Sequence, residues 1–460
     1  LELTYINNSA QNYGFLIYQF GIIIIITIKS VNLRRIAMLQ ELLAPTFYFL
    51  LFLFLISNKR LFPVPSISRN VLYIGFSLKV FSALLFGFFF RNGILTGNDT
   101  FLYFYDGEII YKTLKTDPFI YFKLAIGSND FKPVPAYLLP YTDAMHFWFD
   151  SSNYFIVRLN ALLRPFSFGV YNVHAIIFAF LSFIGTYNLY LFFQDKVRHL
   201  KMVQFILFGI PSIVFWTSGI HKESIVIFAL GIILYNMDIV LTAKHTNRNI
   251  LFSIAGLFIL GYTRIYLLAF LLPLMGSIAL YNKLEIKTSY LKVIALSAML
   301  LVFVLLLLDL IIPNFSLTHE FLSRRTYFLN SPGNMSFQVE HLPHNFKGVL
   351  ILLWEAFTNP FIRPLPNDCN YFLAYLASFE SIILLLTIVA LLFSSNLKLV
   401  IKNPYALFCI LFGLSTLFLI GLIVNNSGAI VRYRSIAIPF ILIGLCLVRQ
   451  ENKQTVLNNS

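Results

Sequence analysis

Apolar runs long enough to cross a lipid bilayer recur along almost the whole chain, and this feature restricts the possible folds most strongly. Backbone polar groups in hydrocarbon must be satisfied within the segment, so these runs are predicted to be helices. The fold class is therefore all-α, a polytopic transmembrane helical bundle of about 11–12 spans. The predicted spans are residues 40–57, 71–90, 171–193, 203–217, 223–241, 249–262, 265–282, 293–312, 371–394, 405–424 and 432–448.

The composition agrees with a membrane protein and explains the positive net charge. Hydrophobic residues make up 58% of the chain and charged residues only 12%, while the net charge is +14. The basic residues fall in short loops between spans, on the same side of the predicted bundle, and cytoplasmic loops carry this excess. The C-terminus is thus predicted to be cytoplasmic, and no nucleic-acid partner is expected. The loops are 58–70, 194–202, 242–248, 283–292 and 395–404.

The first 37 residues do not follow the charge rule. A span at 13–28 would place Lys29, Arg34 and Arg35 outside, whereas Met38 directly precedes a normal first span. We interpret 1–37 as an upstream extension in preference to a genuine extra helix. Residues 38–450 then form one integral-membrane domain, with outer loops at about 91–153 and 313–346 and a cytoplasmic tail at 451–460.

The first outer loop has an acidic balance, with seven acids against five bases. Asp99 follows the second span, which holds it at a fixed depth, and a carboxylate there can take the proton from an attacking hydroxyl. Asp106 is a second candidate base. The alternative for Asp99 is a helix N-cap. Aromatic residues after Asp99 predict a surface helix, and 154–168 is predicted to be a surface or re-entrant helix.

Cationic side chains stand at the outer ends of the later spans. Guanidinium and ammonium groups at this depth suit a phosphate, and the planar arginine fork can bind it at two points. The alternatives are a tight charged turn near Trp216 and snorkelling to lipid headgroups. No metal spacing is convincing in loop 313–346, so a metal ion stays unassigned and no cofactor is predicted. The candidate phosphate-binding residues are His221, Lys222, Arg264, Arg363, Arg432 and Arg434.

These features together resemble the C-superfamily of glycosyltransferases over about residues 40–448. They also resemble bacterial inner-membrane proteins of surface-polysaccharide synthesis. The resemblance implies a polyprenyl-phosphate or polyprenyl-diphosphate sugar donor, a glycan or lipid acceptor, transfer on the periplasmic face and Asp99 as the base. The acidic pair usual in that family is reduced here to Asp99 alone, which leaves Asp106 open.

Two other functions remain open at this stage. A polymerase or ligase of lipid-linked repeat units would depend on the arginines more than on the carboxylate. A transporter or lipid flippase would place an ionisable group near the midplane, and Glu380 is the candidate for that group. In every case membrane lipids are expected partners and the bacterial inner membrane is the expected location.

Overall fold

The computed structural model describes residues 39–449, apart from 65, 95–98, 130–132, 242–245, 284–291, most of 293–316, 331–332, 334 and 339–344. The proposed extension 1–37, the tail 451–460 and most of the predicted span 293–312 lie outside these residues. The same is true of His341 and His344 in the second outer loop.

Helices form nearly all of the described structure, and eight of them are long and apolar enough to cross a membrane. The prediction of an all-α polytopic bundle is therefore confirmed, and no β-strand occurs among the described residues. The eight are α1 (Leu39–Ser57), α2 (Arg69–Arg91), α7 (Tyr171–Gln194), α10 (Lys222–Leu241), α11 (Asn247–Lys283, whose candidate span ends at Tyr281), α14 (Phe372–Ser394), α16 (Pro404–Ile423) and α17 (Ser427–Cys446). The remaining α-helices are α3 (Asp99–Thr116), α4 (Pro118–Ile126), α5 (Leu139–Thr142), α6 (Ser151–Ser167), α8 (Leu200–Phe208), α9 (Pro211–Trp216), α12 (Leu317–Asn330), α13 (Phe346–Ile362) and α15 (Leu397–Lys402).

One predicted span is divided in two, and the two predicted spans on either side of Arg264, 249–262 and 265–282, form one bent helix. The span 203–217 is divided into α8 and α9, because Gly209 ends the first helix and Pro211 begins the second. Helix α11 contains a non-helical residue, Arg264 (φ −150°, ψ 70°). A Cβ built on Gly261 would lie 3.4 Å from Leu268 Cδ1, a contact that a straight helix cannot make across seven residues. The chain therefore bends sharply at Arg264.

The centre of the bundle is the packing of α7 against α10. Gly185 and Gly231 face each other so closely that a Cβ on Gly231 would lie 2.0 Å from the Gly185 carbonyl oxygen. At the ends of the same helices, Lys196 Nζ donates to Asp238 Oδ2 at 2.8 Å. From Gly185 to Lys196 along the chain, the partner residue moves forward from Gly231 to Asp238, so α7 and α10 run parallel. Parallel directions are expected for two spans that are separated by one crossing of the bundle, formed by α8 and α9.

The predicted helices of the first outer loop are present as α3 and α6. They pack on each other, and Gly107 permits the close approach because a Cβ there would lie 2.8 Å from Asn160 Cβ. Arg164 donates to Glu108 at 2.6 Å across the same interface. The charge of Arg164 is thereby paired within the protein.

Helix α13 has no counterpart among the predicted spans. It is 17 residues long and packs along α16, where a Cβ on Gly421 would lie 2.0 Å from the Ala356 carbonyl oxygen. Glu355, Asn359 and Pro360 interrupt its apolar pattern, which explains why hydropathy alone does not identify it.

The contacts separate the bundle into two ends. The loops after α7 and α14 lie at one end. There the backbones of Ser395 and Arg449 form an isolated antiparallel β-bridge, and Tyr405 Oη donates to Asp238 Oδ1 at 3.2 Å. The start of α10, the bend in α11 and the start of α17 meet at the opposite end, next to Asp99. We call this the acid–cation end.

Candidate functional site

A buried carboxylate joins two arginines at the acid–cation end. Glu223 lies in the first turn of α10 and is 1% exposed. Arg264 donates from one Nη to Glu223 Oε1 at 2.6 Å, and Arg432 donates from Nε to Glu223 Oε2 at 2.8 Å. We name Glu223, Arg264, Arg432, Lys222 and Asp99 the acid–cation cluster.

Local backbone features bring these side chains together. Gly219 lets the turn before α10 approach α2, since a Cβ there would lie 2.8 Å from Phe86. The bend at Arg264 places that residue against the start of α10. Asn426 caps α17 by accepting a hydrogen bond from the Ala429 N–H at 3.0 Å, which fixes the first turns of the helix that carries Arg432.

Asp99 is the accessible carboxylate of the cluster. It begins α3, and Arg432 donates from a second nitrogen to Asp99 Oδ2 at 3.3 Å. The Asp99 side chain is 42% exposed. Asp99 is thus both in contact with a cation and accessible to solvent.

Lys222 anchors the neighbouring helices to the cluster. Its Nζ donates to Ser152 Oγ at 2.7 Å, and Ser152 Oγ donates to the Thr263 carbonyl oxygen at 3.1 Å. Ser152 lies at the start of α6, whose N-cap is Asp150. The first outer loop is therefore tied to α10 and α11 at the cluster.

His221 lies beside the cluster without a hydrogen-bond partner for either ring nitrogen among the described residues. Its ring packs edge-on against Phe86, with the centroids 4.2 Å apart. Burial, and then the positive charge of Arg432, hold the pKa of His221 well below its usual range. A lowered pKa favours the neutral imidazole, which has one hydrogen-bond donor and one acceptor.

The ring of Tyr433 lies close to the guanidinium groups of both arginines. Its ring centroid lies 4.4 Å from Arg264 Cζ and 5.6 Å from Arg432 Cζ. An aromatic face at this distance attracts a guanidinium, most strongly where water is excluded. Tyr433 therefore helps to hold both side chains at the site.

Two of the predicted phosphate ligands, Arg363 and Arg434, are engaged elsewhere. One Nη of Arg363 donates to both carboxylate oxygens of Asp368, at 2.6 and 2.8 Å. Arg434 is 2% exposed and donates to the carbonyl oxygens of Pro360 (3.3 Å) and Arg363 (2.6 Å), as well as to Ser381 Oγ. The structure brings neither residue to the acid–cation cluster.

The Asp368–Arg363 pair predicts a pH-dependent stability. Burial alone would raise the pKa of Asp368, but hydrogen bonds from Leu365, Arg363 and Ser427 outweigh it and lower the pKa. The pair therefore stabilises the fold above the ordinary carboxyl pKa, and this contribution is lost as the pH falls through the lowered value. We expect Asp368→Asn to be less stable than the parent at pH 7. The two proteins should be equally stable at a pH low enough to protonate Asp368 of the parent in both the folded and the unfolded state.

Thermal unfolding followed by circular dichroism measures this difference at both pH values, because the described structure is almost entirely helical. Asp143→Asn, at an exposed acid, is the control and is expected to show no pH-dependent difference. A stability difference for Asp368→Asn that persists unchanged at low pH would contradict the assignment.

Asp106 is placed as a structural residue and not in the cluster. Its side chain is fully buried, and it accepts hydrogen bonds from the backbone N–H groups of His146 (2.9 Å) and Phe147 (3.0 Å). The ring of His146 lies 3.0 Å from the other oxygen. Burial raises the pKa of Asp106, and these hydrogen bonds offset part of that effect. The carboxyl fastens α3 to the segment before α6.

Substitution of Asp106 should therefore lower the stability of the fold and have little effect on the acid–cation cluster. Asp106→Ala leaves two partly buried N–H donors without their acceptor, and each such group costs at most about 1–3 kcal/mol. We expect a clearly lower unfolding temperature, with ligand affinity retained in the folded fraction. An intact unfolding temperature combined with lost affinity would instead assign Asp106 to the site.

No group of three or more His, Cys, Asp or Glu side chains suited to a metal ion occurs within the part of the chain that the structure describes. Glu223, Ser152 and Tyr433 are not among the candidate site residues that the sequence predicts. The signal for Glu223 is its type and place, because a carboxylate beside Lys222 at a membrane boundary requires cationic partners. Ser152 and Tyr433 carry no comparable sequence signal.

A large, mostly apolar groove lies near the cluster, although none of the five cluster residues lines it. It has a volume of about 1040 Å³ and lies between α8, α9, α14 and α17. Trp216 and Val431 line it; Val431 precedes Arg432 in the sequence, and the ring centroids of Trp216 and His221 are 6.3 Å apart. Glu380, Lys201, Ser212 and Thr387 are polar residues on its wall. Most of the other lining residues are apolar, for example Leu85, Phe89, Phe205 and Leu384.

No protein-family model, curated protein or solved structure matches this chain.

Proposed function

We propose that the protein is a glycosyltransferase of the bacterial inner membrane, moving a sugar from a polyprenyl-phosphate donor to an acceptor on the periplasmic face. The observation that carries the proposal is the contact of the accessible Asp99 carboxylate with Arg432, next to Arg264 and Lys222. A base and several cations at one place are what transfer from a phosphate-linked sugar requires.

The charges of the cluster support this chemistry. Arg264 and Arg432 offset the charges of the Glu223 and Asp99 carboxylates, and Lys222 adds a third hydrogen-bond donor for an anionic ligand. Glu223 is held by two guanidiniums and is buried, so it orients the arginines and is not the base. Asp99 is the group that a substrate hydroxyl can reach.

In the proposed reaction the acceptor hydroxyl gives its proton to Asp99 as its oxygen bonds to the anomeric carbon. The bond between that carbon and the phosphate oxygen breaks, and its electron pair stays on the phosphate. Protonation of Asp99 removes the negative charge next to Arg432 while negative charge grows on the leaving phosphate. Arg432 and Arg264 thus stabilise the transition state more than the ground state.

The groove supports a lipid-linked donor. Its volume of about 1040 Å³ matches the upper end of ligand sites, about 300–1,000 Å³. Its walls are mostly apolar, and Val431 on its wall precedes Arg432 in the sequence. A polyprenyl chain lying in the groove would place its phosphate near Arg432.

A transporter is the second candidate, because one specific feature favours it. Helix α9 begins inside the predicted membrane region after a break, and the Ser212 N–H donates to Glu380 Oε1 at 2.9 Å. Broken helices with ionisable partners are typical of transporter binding sites. The charges of the acid–cation cluster lie away from this break, which favours the transferase.

The test is a reconstitution of the purified protein in liposomes with a panel of radiolabelled polyprenyl-phosphate hexoses and pentoses as donors and lipid-linked glycans as acceptors. Release of polyprenyl phosphate with labelled single-sugar product supports the proposal. Long-chain products would indicate a polymerase or ligase. Movement of label across the bilayer with no bond cleavage would replace the transferase by a transporter.

A further inference from the structure

Helix α9 is held at its two ends by ionisable side chains from two different spans. At its start, Glu380 of α14 accepts a hydrogen bond from the Ser212 N–H at 2.9 Å. At its end, Lys79 of α2 donates from Nζ to Thr217 Oγ1 at 2.8 Å. A helix of six residues has few internal hydrogen bonds of its own, so these two contacts determine much of its position.

Lys79 is an unusual residue for the interior of a membrane helix. It is 1% exposed, and its amine also donates to Ser182 Oγ of α7 at 2.8 Å. No carboxylate of the described chain lies within 4.0 Å of it. A lysine at the centre of a membrane helix costs about 2.5–3.5 kcal/mol to insert, so its retention at this place requires a role.

Glu380 fills the complementary place at the other end of α9. Pro211 has no backbone N–H, so Ser212 carries the first N–H that needs an acceptor. The second feature of Glu380 is that it lines the apolar groove. Any chain bound in the groove therefore contacts the residue that fixes the start of α9.

The end of α9 leads directly into the cluster. Thr217 Oγ1 donates to the Ile213 carbonyl oxygen at 2.7 Å, which locks the last turn, and only four residues separate Thr217 from Lys222. Ser224 Oγ then donates to the Gly219 carbonyl oxygen at 2.6 Å. A shift of α9 would consequently move Lys222 and Glu223.

We propose that Lys79 and Glu380 are positioning residues that act through α9 on the acid–cation cluster. Together they hold α9 as a rigid unit, and the unit sets the depth of Lys222 and Glu223 relative to Arg432. Contact of a lipid chain with Glu380 is transmitted to the cluster by the same helix. The part of this inference that concerns phosphate binding rests on the proposed function.

The test compares Lys79→Met, Glu380→Gln and the double variant. Hydrogen exchange of the peptide 213–220 is measured first, since it does not depend on any activity. Loss of one contact is expected to speed exchange there by about tenfold, because a buried hydrogen bond is left unmade. The double variant is expected to add little, because either loss already releases the helix.

The second measurement is equilibrium binding of radiolabelled polyprenyl phosphate. We expect each single variant to weaken binding by about tenfold and the double variant to be similar. Lys196→Met is the matched control, since it removes an ion pair with Asp238 at the opposite end of the bundle. It should leave both exchange at 213–220 and binding unchanged. If Lys79→Met does not fold, Thr217→Val replaces it, because this substitution removes the acceptor that Lys79 has on Thr217 and leaves the one on Ser182.

The outcomes separate this inference from the proposed function. Additive or absent effects on exchange at 213–220 overturn the inference. Non-additive exchange with no effect on polyprenyl phosphate binding would overturn the link from α9 to the cluster. A parent protein that binds no polyprenyl phosphate would refute the proposed function, while the exchange data would still decide whether α9 is held as one unit.

Discussion

Asp99→Asn is expected to reduce sugar transfer by about 10²–10⁴-fold, the range typical of a lost general base. The amide keeps the size of the side chain, and its oxygen still accepts a hydrogen bond from Arg432, so the geometry of the cluster is retained. Asp99 is 42% exposed, and an ion pair of this kind contributes only about 0–1 kcal/mol to stability. The variant should therefore fold, bind polyprenyl phosphate and fail in the chemical step.

Asp117→Asn is the matched control for this prediction. Asp117 belongs to the same outer segment and caps α4, accepting from the Phe119 N–H at 2.9 Å, and asparagine serves equally well as a cap. It should transfer sugar at the parent rate. A fully active Asp99→Asn enzyme would remove Asp99 from the site and would favour the polymerase, in which the arginines matter more.

Substitution of Arg432 is expected to have the second large effect. Arg432 alone contacts both carboxylates of the cluster, Glu223 through Nε and Asp99 through a terminal nitrogen. Lysine has one charged group and cannot reproduce this two-point geometry. Arg432→Lys is expected to lower transfer by about 10²–10³-fold, as for the loss of a preorganised donor at developing charge.

Arg432→Gln should also destabilise the fold. Glu223 is 1% exposed and would keep only Arg264, and breaking a buried ion pair on one side costs about 3–5 kcal/mol. The double variant with Glu223→Gln removes the uncompensated charge and is expected to recover stability without recovering transfer. Recovery of both would show that Arg432 has only a structural role.

Arg434→Lys is the matched control on the same helix. Arg434 lies two residues beyond Arg432, but its partners are the carbonyl oxygens of Pro360 and Arg363. We expect a loss of stability with unchanged affinity for polyprenyl phosphate. A specific loss of phosphate affinity in Arg434→Lys would return this residue to the donor site.

The sequence predicts most of the described spans and the span ends at which Asp99 and Arg432 stand, because hydropathy and loop charge are local signals. These two residues are 333 positions apart, yet both follow from their place at the ends of spans. The break at Gly209 and Pro211 is also visible as a pair of helix-breaking residues. The bend at Arg264 is suggested only by the shortness of the flanking apolar runs.

The partners of the charged residues are not predictable in the same way. Arg363 and Arg432 have the same type and the same predicted depth, but Asp368 is five residues from Arg363 and satisfies it locally. Which arginine remains for a ligand depends on pairing in three dimensions. Asp106 shows the same limit, since its acceptor role depends on N–H groups 40 residues away.

The division of one span into α8 and α9 has a consequence for the lipid around the protein. Their fifteen helical residues, placed end to end, would measure only about 23 Å at 1.5 Å per residue. The hydrocarbon layer of a typical bilayer is about 30 Å thick, and short elements are accommodated by local thinning. Headgroups should be drawn inward beside the groove, so that a lipid-borne phosphate meets Lys222 and Arg432 while its tail stays in its own leaflet.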